Sequence, residues 1–236
     1  MVDFHTHILP GIDDGSDSLD TTLKMLDEMR KQDIKTIVAT PHFAPQTEAV
    51  SAFLERREAA LQLVSPHLNG LTIIPAAEVK YCRNISKIEG IEKAALGNLG
   101  YILIEMTYQE WTKQTVDDVI AIMDNTGLIP ILAHVDRYWN NSTKKHFEVF
   151  LDAGVLMQFN VSSFEGFFQE RKFIKLIREG KIHLLGSDCH NMKRRIPNLK
   201  SGFDILEKHG LVSLIEAHEE IVFNSESHTS SNRIII

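Results

Sequence analysis

Six of the seven short apolar runs in this chain end in, or are followed within two residues by, a histidine or a carboxylate, and two of those ends are paired. His5-Thr-His7 closes the first run and Asp188-Cys-His190 follows the last. Side chains at i and i+2 of a strand point the same way, so each pair forms a two-ligand claw. The runs predict strands over 2–5, 36–40, 71–78, 101–105, 129–134, 156–160 and 183–187. Several are apolar almost throughout, such as Ile102-Leu-Ile104 and Ile131-Leu-Ala133, as expected for parallel strands buried on both faces. Amphipathic segments predict helices over 18–32, 47–65, 116–126, 144–153, 165–179, 199–209 and 212–220. Asp17 or Ser18 can cap the first, and Gly127, Gly154 and Gly180 stand where helices stop.

Strands alternating with helices, without a Pro/Ser/Gly-rich linker or a repeat, predict one α/β barrel-like domain over 1–236. The polar segment 224–236, ending Ile-Ile-Ile, is expected to be a poorly ordered tail. In a parallel barrel the C-terminal ends of all strands share one face, where such folds place their chemistry. His5, His7, His42, Glu78, Glu105, His134, Asp188 and His190 all fall at such ends. Asp14, in the Gly11–Gly15 turn after the first strand, makes a ninth candidate ligand. A lone histidine at a strand end is usually structural, but five of the eleven occur there together with four carboxylates. That coincidence points to a metal centre. His67, His146, His183, His209, His218 and His228 lie elsewhere and are read as structural. Asp13 is read as a turn former or a partner of a ligand, and Asp3 as a residue that orients an imidazole.

A formal charge of −7 and the absence of a basic stripe argue against nucleic acid as a partner. Three divalent ions would bring the chain close to neutrality and leave a positive pocket suited to an anionic substrate. No signal peptide or membrane span is evident, and two cysteines make no disulfide framework, so a cytoplasmic location without membrane insertion is expected. Arg137 and Arg195 each follow a candidate ligand closely, and guanidinium forks suit phosphate. Lys193 and Arg194 are read as surface charges.

Cys189 and Arg195 match the Cys-x5-Arg spacing of thiolate-based phosphatases. Three features oppose that chemistry. The intervening residues contain no glycine for an amide cradle. Asp188 would raise the thiol pKa. Strand alternation turns Cys189 away from Asp188 and His190. A buried cysteine outside the chemistry is the better reading.

With these residues in place, the chain resembles the PHP (polymerase and histidinol phosphatase) family, in particular its bacterial capsule-associated protein-tyrosine phosphatase branch. The strings DFHTHILPGIDDGSDS, IVATPHF, EVK, LAHVDRY and GSDCHN…RRIP carry the resemblance in order along the chain. It implies a distorted (β/α)7 TIM-like barrel with a trinuclear centre. His5, His7, Glu78 and Asp188 would hold one ion. Glu78, Glu105 and His134 would hold a second, with Glu78 bridging. Asp14, His42 and His190 would hold the third. Arg137 and Arg195 would bind the substrate phosphate, although Val135-Asp136 departs from the family's His-Pro-Glu-Arg. The all-nitrogen-and-oxygen donor set suits Mn best, with Fe, Zn and Co chemically open. The implied reaction is in-line attack of a metal-bound hydroxide on phosphotyrosine. The implied substrate is an autophosphorylated bacterial tyrosine kinase that regulates capsular or exopolysaccharide synthesis. A histidinol-phosphate or other small-molecule phosphomonoesterase is the alternative, and a non-catalytic kinase-binding subunit a third reading. The oligomeric state stays open.

Overall fold

The computed structural model describes residues 1–140 and 143–224. The chain begins with β1 (Val2–Thr6), α1 (Leu19–Lys31), β2 (Thr36–Ala39), β3 (His42–Phe43), α2 (Val50–Val64), β4 (Thr72–Pro75) and β5 (Glu78–Lys80). It continues with β6 (Tyr101–Glu105), α3 (Lys113–Thr126), β7 (Ile129–Leu132), α4 (Lys144–Asp152), β8 (Leu156–Asn160) and α5 (Phe167–Arg178). It ends with β9 (Leu184–Gly186), α6 (Leu199–Lys208) and α7 (Val212–Asn224). All strand pairs are parallel, in the orders β1-β2-β4 and β3-β5-β6-β7-β8-β9. Since β2 runs into β3 and β4 into β5, the strands follow seven tracks. The first and last tracks meet at a bridge between Thr6 and Cys189. There the His7 amide donates to Cys189 O at 2.9 Å and the Asp188 amide to His5 O at 2.8 Å. The sheet thus curls round until the two claws lie side by side.

The expected elements are all present, with informative differences. The predicted strands 36–40 and 71–78 are each interrupted, the second at Ala76-Ala77, and resume with His42 and Glu78. Between β5 and β6 the barrel has no α-helix. Two short 3-10 turns, Ile85–Lys87 and Ile91–Ala94, fill the space and deliver Leu96 and Leu99 to the core. The last helix runs four residues beyond its predicted end, to Asn224, the first residue of the expected tail, and the rest of that tail lies outside the described residues. Ser18 accepts from the Thr21 amide and so caps α1. Gly127 ends α3 at φ +75, a left-handed stop that favours glycine.

Two cores divide the sheet's faces. Tyr101, Leu103, Ile131, Ala133 and Leu184 join one apolar cluster, while their neighbours Ile102, Ile104, Leu132 and Leu185 join the larger one under the helices. Glu105 continues the Leu103 face. Plain alternation would send His134 to the Leu132 side. Instead His134 adopts a left-handed backbone, φ 33 and ψ 51, which redirects it to the cluster. Asp188 is also left-handed, at φ 53. Such backbones cost about 1 kcal/mol or more and persist where surrounding contacts over-determine them.

His183, read as structural, joins neighbouring strands: its Nδ1 accepts from the Met157 amide at 2.9 Å. Burial, with His218 beside it, pushes its pKa down to about 3. The native state therefore resists a proton that the unfolded chain takes up near 6.5. Stability from this group is complete above pH 6.5 and falls as pH drops toward 3, by on the order of 5 kcal/mol. In urea titrations at stepped pH, His183→Gln should flatten the acid limb relative to the wild type.

Candidate metal centre

All nine predicted ligands converge on the face where the strand tracks end. The β1 claw brings His5 Nε2 and His7 Nε2 within 3.1 Å of one another. Both lie 3.2 Å from Glu78 Oε2, and they stand 3.6 and 3.3 Å from Asp188 Oδ1. On the other side of Glu78, His134 Nε2 sits 2.7 Å from Oε1 and 3.8 Å from Glu105 Oε1. A third group forms around the turn after β1, where His42 Nε2 and His190 Nε2 lie 3.3 and 3.5 Å from Asp14 Oδ1. The three groups interlock more than separate trios would. His42 Nδ1 also reaches Glu78 Oε2 at 2.9 Å, and the His7 and His190 rings are 3.8 Å apart. Three sets of donor atoms are compact enough to share an ion: His5/His7/Asp188, His7/Asp14/His42/His190 and His42/Glu78/Glu105.

The centre is buried on one side and open on the other. His5, His7, Glu78, His134, Asp188 and His190 are buried, Glu105 is partly exposed, and Asp14 is 68% exposed. Glu78 Oε2, Asp188 Oδ1 and His134 Nδ1 are buried yet make no hydrogen bond of acceptable geometry. Orphaned buried carboxylate oxygens are costly unless a cation faces them. The donors are nitrogen and oxygen only, and they fit hard or borderline divalent ions.

Charge in the cluster follows the same logic. Burial opposes ionisation of Glu78 and Asp188, but His5 outweighs it, with His134 and His42 at Glu78 and His7 at Asp188, and holds both carboxyls well below their usual range. Burial likewise works against protonated His5 and His7. At His5 the Glu78 and Asp188 charges overcome it, and at His7 the Asp13, Asp188 and Glu78 contacts do, raising both imidazoles. Burial and then the Glu78 charge raise Glu105. His190 is pushed down to about 4 by burial, His7 and Arg195. The carboxylates call for positive charge, and the imidazoles of β1 supply it when nothing else does.

Outward-facing contacts fix the imidazoles. Asp13 Oδ2 accepts from His7 Nδ1 at 2.7 Å and from the His42 amide at 2.9 Å, while Oδ1 takes the Gly15 amide at 2.9 Å. Burial alone would raise Asp13, but these contacts hold it at about 2. Asp3 does not orient an imidazole as expected. Its Oδ1 accepts the His5 and Ser187 amides at 3.3 and 2.9 Å and so joins the backbones of the two claws, which a sequence pattern cannot show. The second claw is not made by strand alternation, because β9 ends at Gly186 and the left-handed Asp188 turns the chain. Cys189 nevertheless packs into the core under the helices, and burial with Asp3 nearby raises its thiol well above the usual value.

Sequence reasoning missed Gln158 and Asn160. Gln158 Oε1 accepts from the His134 amide at 2.7 Å and from His5 Nδ1 at 3.1 Å, which leaves the His5 Nε2 lone pair facing the cluster. Gln158 Nε2 donates to Asn160 Oδ1 at 3.1 Å, and Asn160 Nδ2 to Asp188 Oδ2 at 2.8 Å. The available signal was an i, i+2 polar pair on β8, the one strand track with no candidate ligand at or just beyond its end. Gln158→Leu should weaken metal affinity about 10–100-fold in chelator competition.

Arg137 and Arg195 both place a guanidinium nitrogen on Asp188 Oδ2, and Arg195 Nη1 lies 2.8 Å from His190 Nε2. Two cations thus border the cluster at one carboxylate. Lys193 and Arg194 are exposed, as read from the sequence.

Residues 1–224 match the family model for capsular polysaccharide synthesis, CpsB/CapC. The tyrosine-protein phosphatase CpsB of Streptococcus pneumoniae is 30% identical over 225 residues, covering 88% of this chain and 90% of its own. The tyrosine-protein phosphatase YwqE of Bacillus subtilis is 28% identical over 223 residues, covering 88% and 84%. The fold aligns at a TM-score of 0.78 with a chain from the crystal structures of YwqE from B. subtilis and CpsB from S. pneumoniae, described as unique metal-dependent tyrosine phosphatases. That alignment has 24% identity and covers 96% of this chain and 93% of the other. A putative histidinol phosphatase from Listeria monocytogenes aligns at 0.53 with 14% identity, covering 80% and 95%. The chain is a member of the CpsB/CapC capsular polysaccharide synthesis family.

Proposed function

We propose that this protein is a metal-dependent phosphomonoesterase that removes phosphate from phosphotyrosine in proteins. The observation that carries it is the convergence of nine nitrogen and oxygen donors around orphaned buried carboxylate oxygens, bordered by two guanidinium groups. The relatives named as tyrosine phosphatases favour phosphotyrosine over a small alkyl phosphate. The finer reading is three divalent ions, most simply Mn, held by His5, His7, Glu78 and Asp188; by Glu78, Glu105 and His134; and by Asp14, His42 and His190. When bound, the ions supply Lewis-acid activation of water and neutralise charge on the phosphate.

The chain's own residues do the rest. Arg137 and Arg195 are placed to turn from Asp188 to phosphate oxygens, which carry more charge as the ester bond breaks. Asp13 and Gln158 hold the Nδ1 protons of His7 and His5, keeping the opposite nitrogens as acceptors. A phenol has a pKa near 10, so the departing tyrosine oxygen needs less help from a proton donor than an alkoxide would. The intended substrate is an autophosphorylated bacterial tyrosine kinase that regulates capsular or exopolysaccharide synthesis. No helix among the described residues is long and apolar enough to cross a membrane.

The test is hydrolysis of a phosphotyrosyl peptide and of histidinol phosphate, each with Mn and with chelator. The peptide should be turned over only with metal and in preference to histidinol phosphate; the reverse preference would favour the small-molecule enzyme. Cys189→Ser should keep its activity, because a buried thiol with a raised pKa is not a nucleophile. Loss of turnover in that variant at unchanged metal content would refute the metal mechanism.

A further inference from the structure

The rim of the site carries one aromatic ring that the core does not need. Tyr108, in the loop after β6, is 73% exposed. Exposed aromatics are common enough to mean nothing singly. The position of this one is unusual, since it follows the candidate ligand Glu105 by three residues and packs at 5.1 Å on Tyr138, the residue after Arg137. Tyr138 is itself fixed. Its hydroxyl donates to Met106 O at 2.6 Å, and its ring lies 5.5 Å from Trp111 and 5.7 Å from His134. Trp111 Nε1 donates to Thr107 O at 2.8 Å and braces the same loop. Tyr108 thus has one side supported by Tyr138, the chain neighbour of Arg137, and a large part of its ring in solvent. Tyr108 also lies near enough to Arg137 to contribute, after burial and the Asp188 charge, to its raised pKa.

We propose that Tyr108 is a specificity-determining residue, whose exposed ring receives the phenyl ring of an aryl phosphate while Arg137 and Arg195 hold the phosphate. The inference rests on the phosphatase reading above. An aryl group can pair with the Tyr108 ring in an offset or edge-on arrangement, and an alkyl chain cannot. The braced loop means that little conformational freedom is lost when the ring binds. One aromatic pair of this kind corresponds to about a three- to tenfold preference.

The experiment compares Mn-loaded wild type, Tyr108→Ala and Tyr108→Phe. Calorimetry gives the affinities for benzylphosphonate and propylphosphonate. Kinetics give kcat and KM for phosphotyrosyl and phosphoseryl peptides of one sequence. Tyr108→Ala should lower the benzyl-over-propyl preference about three- to tenfold and raise KM for the phosphotyrosyl peptide more than it lowers kcat. Tyr108→Phe should keep the preference, because the ring and not the hydroxyl makes the contact. An unaltered preference in Tyr108→Ala, or equal weakening of both phosphonates, overturns the role of Tyr108 and leaves the phosphatase reading standing. A wild type that binds Mn but does not hydrolyse the phosphotyrosyl peptide overturns both.

Discussion

Glu78→Gln is expected to reduce phosphate-ester hydrolysis on the order of a thousandfold or more, and to lower the number of ions bound per chain. The substitution keeps the side chain's shape and removes its charge. Glu78 stands at the centre of the site, with His5, His7 and His42 within 3.2 Å of Oε2 and His134 at 2.7 Å from Oε1. Oε2 makes no hydrogen bond of acceptable geometry, although it is buried. A neutral amide offers one oxygen where a carboxylate offers two, and its NH2 would face the imidazoles. Metal analysis of the purified variant, beside its kcat/KM in excess Mn, checks the point. Unchanged ion content with near-normal turnover would mean that Glu78 is only an ion-pair partner.

Gly186→Ala should be strongly damaging although it removes no ligand and no charge. A Cβ there would stand 2.6 Å from His5 Cβ, 2.8 Å from Gln158 Nε2 and 3.0 Å from His5 N. Two of those contacts involve the β1 main chain or the atom next to it, which cannot swing aside as a side-chain tip can. The strand or His5 must shift, at about 1–3 kcal/mol of stability. The same shift would disturb the Gln158 contact that fixes His5. Denaturant unfolding and chelator competition should therefore both move. A variant with wild-type stability and wild-type metal affinity would show that β1 and β9 are looser than the close approach implies.

The barrel was legible because its strands are buried on both faces and its ligands close them. Apolar runs such as Tyr101–Glu105 announce both the strand and the direction of its last side chain. The segment between β5 and β6 was not legible. Its 3-10 turns have no helical period, and their place is set by packing of Leu96 and Leu99 against distant strands. The candidate ligands were legible by type and position, yet two of them reach the cluster through left-handed backbones at His134 and Asp188. Nothing in a local pattern announces that twist, since contacts from other strands maintain it. Gln158, Asn160 and the true role of Asp3 were hidden for a related reason. Their partners lie far away in the chain and meet them only once β1, β8 and β9 are adjacent.

The most direct test of the metal centre is a count of ions on the wild-type protein. The chain would be stripped with chelator, dialysed against Mn, and analysed for bound metal alongside phosphotyrosyl-peptide hydrolysis. The three interlocking donor groups predict about three ions per chain and activity that returns as they fill. Full hydrolysis by the stripped protein, or active protein holding no divalent ion after dialysis, would contradict the account.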